Sequence, residues 1–213
     1  MKAAIILSGC GVRDGSEIHE AVCLLLALRQ AGHCAVCFAP EGVQASVYDH
    51  AAGKITSETR SLLSESARIA RGDIHPLASL NVQEFDAILL PGGMGAALNL
   101  CDFGQKGEQC TVIPELETVL LSAHQHHIPM GFMCIAPVIA ARLFKGVRVT
   151  LGCDCDVSKT CEKMGAIHQP CACDCACVDE SFRIVSVPAY MTADDIVGVY
   201  QSATALVRAI ESL

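Results

Sequence analysis

The residues best suited to chemistry sit where an apolar strand runs straight into a helix, in Gly131-Phe132-Met133-Cys134-Ile135-Ala136-Pro137. An elbow of this kind strains the nucleophile's backbone, projects its side chain and sets it beside a helix N-terminus. The helix end favours the thiolate, the reacting form of cysteine, so Cys134 is expected to carry a lowered pKa. Ala136, two residues on, is small, as an elbow requires; Phe132, two residues before, is not. Taken alone, the string fits a buried structural cysteine better than a nucleophile.

Two further strings supply partners. Pro91-Gly92-Gly93-Met94-Gly95 follows the preceding apolar strand. The N–H groups of Gly93 and Ile135 can converge on one oxygen as an oxyanion hole, although the same string also makes an ordinary turn. Asp14-Gly15-Ser16-Glu17-Ile18-His19-Glu20 opens the first helix. Asp14 or Ser16 is expected to cap it, with Glu17 completing a capping box and so structural. Glu20 lies one turn further in an otherwise apolar helix. A carboxyl there is either paired or raised in pKa, and beside a thiol it can take and return protons. His19 either lines the pocket or is a solvated helix residue.

The chain has 14 cysteines, most of them expected to be packing residues in a reducing cytosol. Cys171, Cys173, Cys175 and Cys177 alternate with other residues, close to Cys153, Cys155 and Cys161. In a regular strand alternate side chains share a face about 6.8 Å apart, too far for the roughly 4 Å sulfur spacing of a tetrahedral zinc site or for adjacent disulfides. A cysteine-lined apolar face is therefore expected, and no metal. An irregular loop would escape this argument and bring in Cys153 or Cys155. His124, His126 and His127 end a helix, where imidazolium suits the dipole.

Short apolar runs alternate with longer helical patterns. Strands are expected at residues 2–7, 34–39, 86–90, 129–133 and 147–151, and a small hairpin over 48–56. Helices are expected at 16–31 (apolar nearly all round, hence buried), 58–70, from Pro114, at 135–143, and after a Thr192 cap. Residues 167–187 read as two extended segments. The pattern is that of an α/β, doubly wound, mostly parallel sheet in one domain spanning 1–213. Sites in such sheets lie beyond the carboxyl ends of the strands, where residues 8–15, 91–95 and 133–137 fall.

Hydrophobic residues make up 52% of the chain and charged ones 18%, which excludes disorder. A net charge of −8 without a basic run argues against nucleic acid and anionic membranes as partners. No apolar run approaches a membrane span. Lys2 through Cys10 has the outline of a lipoprotein signal, but five apolar residues are too few for its core, so a buried first strand is expected.

SGCGVRDGSEIHEAV, VCFAP, ARIARGDI, PGGMGAALNL, GFMCIAP and VPAYM resemble the enhancing-lycopene-biosynthesis protein (ElbB) family, of the PfpI-type class I glutamine amidotransferase-like superfamily, over nearly the whole chain. The resemblance implies a flavodoxin-like three-layer sandwich, usually a homodimer, and a cytoplasmic glyoxalase that needs no glutathione, cofactor or metal. It also implies Cys134 as nucleophile, Glu20 as its proton-transfer partner with Glu17 the fallback, and a small aldehyde as substrate; deglycation is a disputed variant. His19 and Tyr190 are secondary candidates. Amidotransferases of this class need a histidine with a glutamate two residues later, whereas the only histidine after Cys134 is His168, followed by Gln169-Pro170. A Cys-His-acid triad, and an amidase or protease with it, is thereby disfavoured. A redox sensor with a low-pKa, oxidisable Cys134 is the alternative.

Overall fold

The computed structural model describes all residues, 1–213. In chain order the elements are β1 (Lys2–Ile6), α1 (Ile18–Gln30), β2 (Cys34–Ala39), β3 (Val47–Asp49), β4 (Lys54–Thr56), α2 (Leu62–Ile69), β5 (Ile74–Pro76), β6 (Ala87–Leu90), α3 (Met94–Leu98), α4 (Phe103–Lys106), α5 (Pro114–Gln125), β7 (Met130–Met133), α6 (Pro137–Leu143), β8 (Arg148–Val149), α7 (Asp156–Lys163), β9 (Ile167–His168), β10 (Cys177–Asp179), β11 (Ile184–Val187) and α8 (Ile196–Glu211).

Seven strands form the central sheet in the order β10-β11-β7-β6-β1-β2-β5. Every neighbouring pair is parallel except β10–β11. Parallel strands covered on both faces cannot show polar alternation, which is why β6, Ala-Ile-Leu-Leu, is buried throughout. Side chains still alternate between two cores. Ala3, Ile5 and Leu7 pack with Leu24 and Leu28 of α1 and Leu206 of α8. Ala4, Ile6, Ile88, Leu90 and Phe132 pack with Leu116 of α5 and Ile139 of α6. The result is the flavodoxin-like three-layer sandwich. From β1 the chain lays β2 on one side and later β6 on the other, so a crevice opens beyond the carboxyl ends of β1 and β6.

Several expectations shift. Helix α1 is not buried all round: Ile18, Val22 and Leu26, four residues apart, stand 42–46% exposed on its outer face. Its N-cap is Glu17, whose carboxylate accepts the Glu20 N–H at 2.7 Å, rather than Asp14 or Ser16. Asp14 instead accepts from the Tyr48 N–H at 2.7 Å. Helix α8 is capped by Asp195, not Thr192, and Ile196 lies outside its buried stripe. The strand expected at 147–151 shrinks to β8, which leaves the main sheet and pairs with β9. Residues 167–187 make three short strands instead of two. Between β9 and β10 the chain is irregular, because Pro170 lacks a donor and Cys175 N–H closes a turn on Ala172 C=O at 3.1 Å. Only Cys177 of the alternating cysteines lies in a strand, so they do not line one face.

Candidate active site

Strand β7 ends at Met133, and Cys134 follows with φ +57°. A non-glycine residue pays about 1–3 kcal/mol to stay in this left-handed conformation. Three bonds hold it there: Cys134 N–H to Val187 C=O at 2.9 Å on neighbouring β11, Ala136 N–H back to Met133 C=O at 2.9 Å, and Val138 N–H to Ile135 C=O at 3.1 Å. Phe132 is tolerated two residues before because the left-handed turn at Cys134 breaks the strand's alternation, leaving the Phe132 ring fully buried in the other core. Gly131 makes room in the core beneath α8, where a Cβ would sit 2.6 Å from Leu89 Cδ2 and 3.1 Å from Leu206 Cδ1.

Glu20 reaches this elbow from α1 and is wholly buried. Its Oε2 accepts the Gly92 N–H at 2.9 Å and its Oε1 the Tyr190 N–H at 3.3 Å. Desolvation pushes its carboxyl up to about 7; a hydrogen bond with the Cys134 thiol opposes the rise, the Glu17 charge adds to it, and the two backbone donors oppose it. The Cys134 thiol is raised well above its ordinary value, first by burial and then by the charge and hydrogen bond of Glu20, while the N–H groups of Gly93 and Ile135 pull the other way. The lowered thiol pKa expected from the helix end is thus overturned. Cys134 is only 9% exposed, and α6 begins at Pro137, three residues beyond it. The resting pair is a thiol facing a carboxyl that titrates near neutrality, not a free thiolate.

The glycine loop fits so closely that side chains are excluded. A Cβ on Gly92 would stand 2.5 Å from Cys134 Cβ and 2.7 Å from Glu20 Oε2. Gly93 adopts φ +89° and forms the N-cap of α3. The loop after β1 clamps it: Glu17 N–H donates to Gly92 C=O at 3.0 Å, Gly95 N–H to Gly15 C=O at 2.8 Å, and Met94 N–H to Val12 C=O at 2.8 Å.

Cys134, Glu20, Gly93 and Ile135 are therefore brought together. Glu17 stands behind Glu20 as the helix cap. His19 is exposed at the rim, its Nδ1 2.6 Å from the Tyr190 hydroxyl. Tyr190 joins through its backbone, and Ala189, at φ +45°, turns that N–H toward Glu20. Gly92 and Val187 were missed as site residues: both act through backbone atoms, which composition does not reveal. His168 lies in β9 with its Nε2 3.6 Å from Asp154.

The doubly wound sandwich is a fold shared with more distant solved structures. A ThiJ/PfpI domain protein from Brachyspira murdochii shares that fold, with a TM-score of 0.61 at 14% identity. No family profile matches the chain. It is 40% identical to the human glutamine amidotransferase-like class 1 domain-containing protein 3, mitochondrial, over 222 residues covering 100% of this chain and 83% of that protein. The rat ES1 protein homolog, mitochondrial, is 39% identical, over 100% of this chain and 84% of its own. The crystal structure of an isoprenoid biosynthesis protein with an amidotransferase-like domain from Ehrlichia chaffeensis superposes with a TM-score of 0.92 at 33% identity, covering 100% of this chain and 99% of that one. The chain belongs to the glutamine amidotransferase-like class 1 family. No helix is long and apolar enough to cross a membrane.

Proposed function

We propose that the protein is a glutathione-independent glyoxalase acting on small 2-oxoaldehydes such as glyoxal. The observation that carries this reading is the buried Cys134–Glu20 pair packed against Gly92, where a Cβ would stand 2.5 Å from Cys134 Cβ and 2.7 Å from Glu20 Oε2, beside two backbone N–H groups. As the Cys134 sulfur attacks the aldehyde carbon, its proton passes to the Glu20 carboxylate, and the N–H groups of Gly93 and Ile135 donate to the developing oxyanion. Glu20 returns the proton to that oxygen, completing a hemithioacetal. It then removes the proton from the same carbon and delivers it to the neighbouring carbonyl carbon, while the hydroxyl proton of the first carbon passes to the neighbouring oxygen and leaves a thioester carbonyl behind. A 2-hydroxy thioester results, and water releases the hydroxy acid and the thiol. Glyoxal thus becomes glycolate with no net oxidation.

No histidine base is required, because Glu20 titrates at about 7 and serves as both acceptor and donor near neutral pH. The redox-sensor alternative assumed an exposed thiol of low pKa, and the buried, raised Cys134 gives it no added support. The reading includes a cytoplasmic homodimer, for which the exposed stripe of Ile18, Val22 and Leu26 on α1 is the candidate face. The test is glycolate production from glyoxal by purified protein, followed by NMR. Turnover that is absent, or that survives unchanged in Cys134→Ala, overturns the proposal.

A further inference from the structure

Away from the Cys134 elbow, two Cys-x-Cys strings meet. Cys153-Asp154-Cys155 follows β8, and Cys171-Ala172-Cys173 follows β9. Cys171 N–H donates to Gly152 C=O at 3.0 Å and ties the two loops together at their nearest ends. Residues 169–176 form no strand, so the spacing argument against a shared ligand does not hold for them. All four of these cysteines are free, and none of the four is buried.

His168 supplies the second, independent observation. Its side chain is 2% exposed, and neither Nδ1 nor Nε2 has a hydrogen-bond partner. A buried imidazole with both nitrogens unsatisfied costs free energy that native structures ordinarily avoid. Nε2 points toward the 153–155 loop, with Asp154 Oδ1 3.6 Å away, within ion-pair range of a protonated ring but too far for a hydrogen bond. Pro170 fixes the short path from His168 to Cys171, giving His-x-x-Cys opposite Cys-x-Cys.

We propose that His168, Cys153, Cys155 and Cys171 form a structural site for a borderline-soft divalent cation of the zinc class. One imidazole and three thiolates are a common tetrahedral donor set for zinc. As the side chains stand, no three metal-ligating groups converge on one point. Cys155 Sγ is turned to the Ser158 N–H of α7 at 3.5 Å, and Cys153 extends into solvent. Rotating the side chains of these exposed or half-buried cysteines between staggered positions needs no change in the core. The ion would replace three thiol protons, release them to solvent, and satisfy the His168 nitrogen. It would pin α7 and the 169–176 loop to β8–β9, which lie outside the main sheet.

Cobalt(II) is the probe, because tetrahedral thiolate coordination gives intense visible bands and near-ultraviolet charge transfer. The full chain, chelator-treated and reduced, is expected to bind one equivalent of Co²⁺ with those bands, and one equivalent of Zn²⁺ is expected to bleach them. Cys171→Ser and Cys153→Ser should lose the signal while keeping native circular dichroism. Cys173→Ser, Cys175→Ser and Cys134→Ala should keep it. Zn²⁺ should raise the melting temperature of the native chain and not that of Cys171→Ser. Substoichiometric Co²⁺ binding, octahedral weak bands, or a signal that survives Cys171→Ser overturns the site. A signal lost in Cys134→Ala would place the metal elsewhere and also overturns it.

Discussion

Two corners of the molecule carry conspicuous cysteines, and they are built in opposite ways. At the β7 corner one cysteine is held by backbone: a left-handed φ of +57°, a bond to β11, and glycines that leave no room for a Cβ. At the β8–β9 corner several cysteines sit on irregular loops, and no three ligating groups meet. Residue type is abundant at the second corner and scarce at the first. What distinguishes the first is pre-organisation, meaning strain already met by packing, a desolvated acid in contact, and N–H donors already aimed. A nucleophile needs that arrangement before its substrate arrives, whereas a metal site can be completed by its ion.

The largest effect should come from removing the pre-organised thiol. Cys134→Ala is expected to lower glyoxal turnover by about 10³-fold or more, since no other group forms the hemithioacetal. Glycolate formation read by NMR decides it, and comparable activity in the variant would erase the contrast between the corners. Next is Glu20→Gln, expected to cost about 10²–10⁴-fold, the usual worth of a positioned acid–base group. In the native protein kcat/KM should rise with pH through about 7, because the carboxylate is the form that accepts the thiol proton. The variant should lose that limb.

Stability carries the same signature with a definite sign. The folded state raises the Glu20 pKa from 4.5 to about 7, so the fold prefers the neutral carboxyl. Its contribution is fully present below about pH 4.5 and is lost as pH rises through about 7, by about 3 kcal/mol across the window. Denaturant midpoints measured against pH should show this slope in the native chain and a flatter one in Glu20→Gln. Identical slopes would mean that the carboxyl is solvated.

Much of this was legible beforehand, and for identifiable reasons. β1, β6 and β7 announce themselves because strands buried on both faces are continuously apolar. Cys134 and Gly93 could be assembled because parallel α/β topology sends strand ends to one edge, and Glu20 joined them through the family resemblance. The thiol pKa was not legible: helix proximity is a sequence property, but desolvation depends on how the Gly92 loop and Val187–Tyr190 close over the sulfur. Gly92 and Tyr190 act through N–H groups, and a backbone donor has no letter in the sequence. The 171–177 segment differs from its sequence reading because cysteine alternation imitates a strand. Pro170 and the turn at Ala172–Cys175 decide against one.

Closeness itself can be tested, between the large effects and the null one. A Cβ at residue 92 would press on both Cys134 and Glu20, so Gly92→Ala is expected to keep the fold with a cost of about 1–3 kcal/mol. Its turnover should fall by about 10²-fold, the usual cost of misplacing a reacting group by an ångström. Melting temperature and glyoxal turnover, measured together, separate the two; a fall in stability alone would show that the site has slack. At the other corner Cys173→Ser and Cys175→Ser should change turnover by less than about twofold, since surface substitutions away from specific features rarely exceed a few tenths of a kcal/mol. Because Cys173 backs onto Gly198 at the start of α8, and α8 packs on α1, a larger loss there would mean that the loop bears on Glu20 through the two helices. The two corners would then be coupled, and their contrast would be one of ligand chemistry alone.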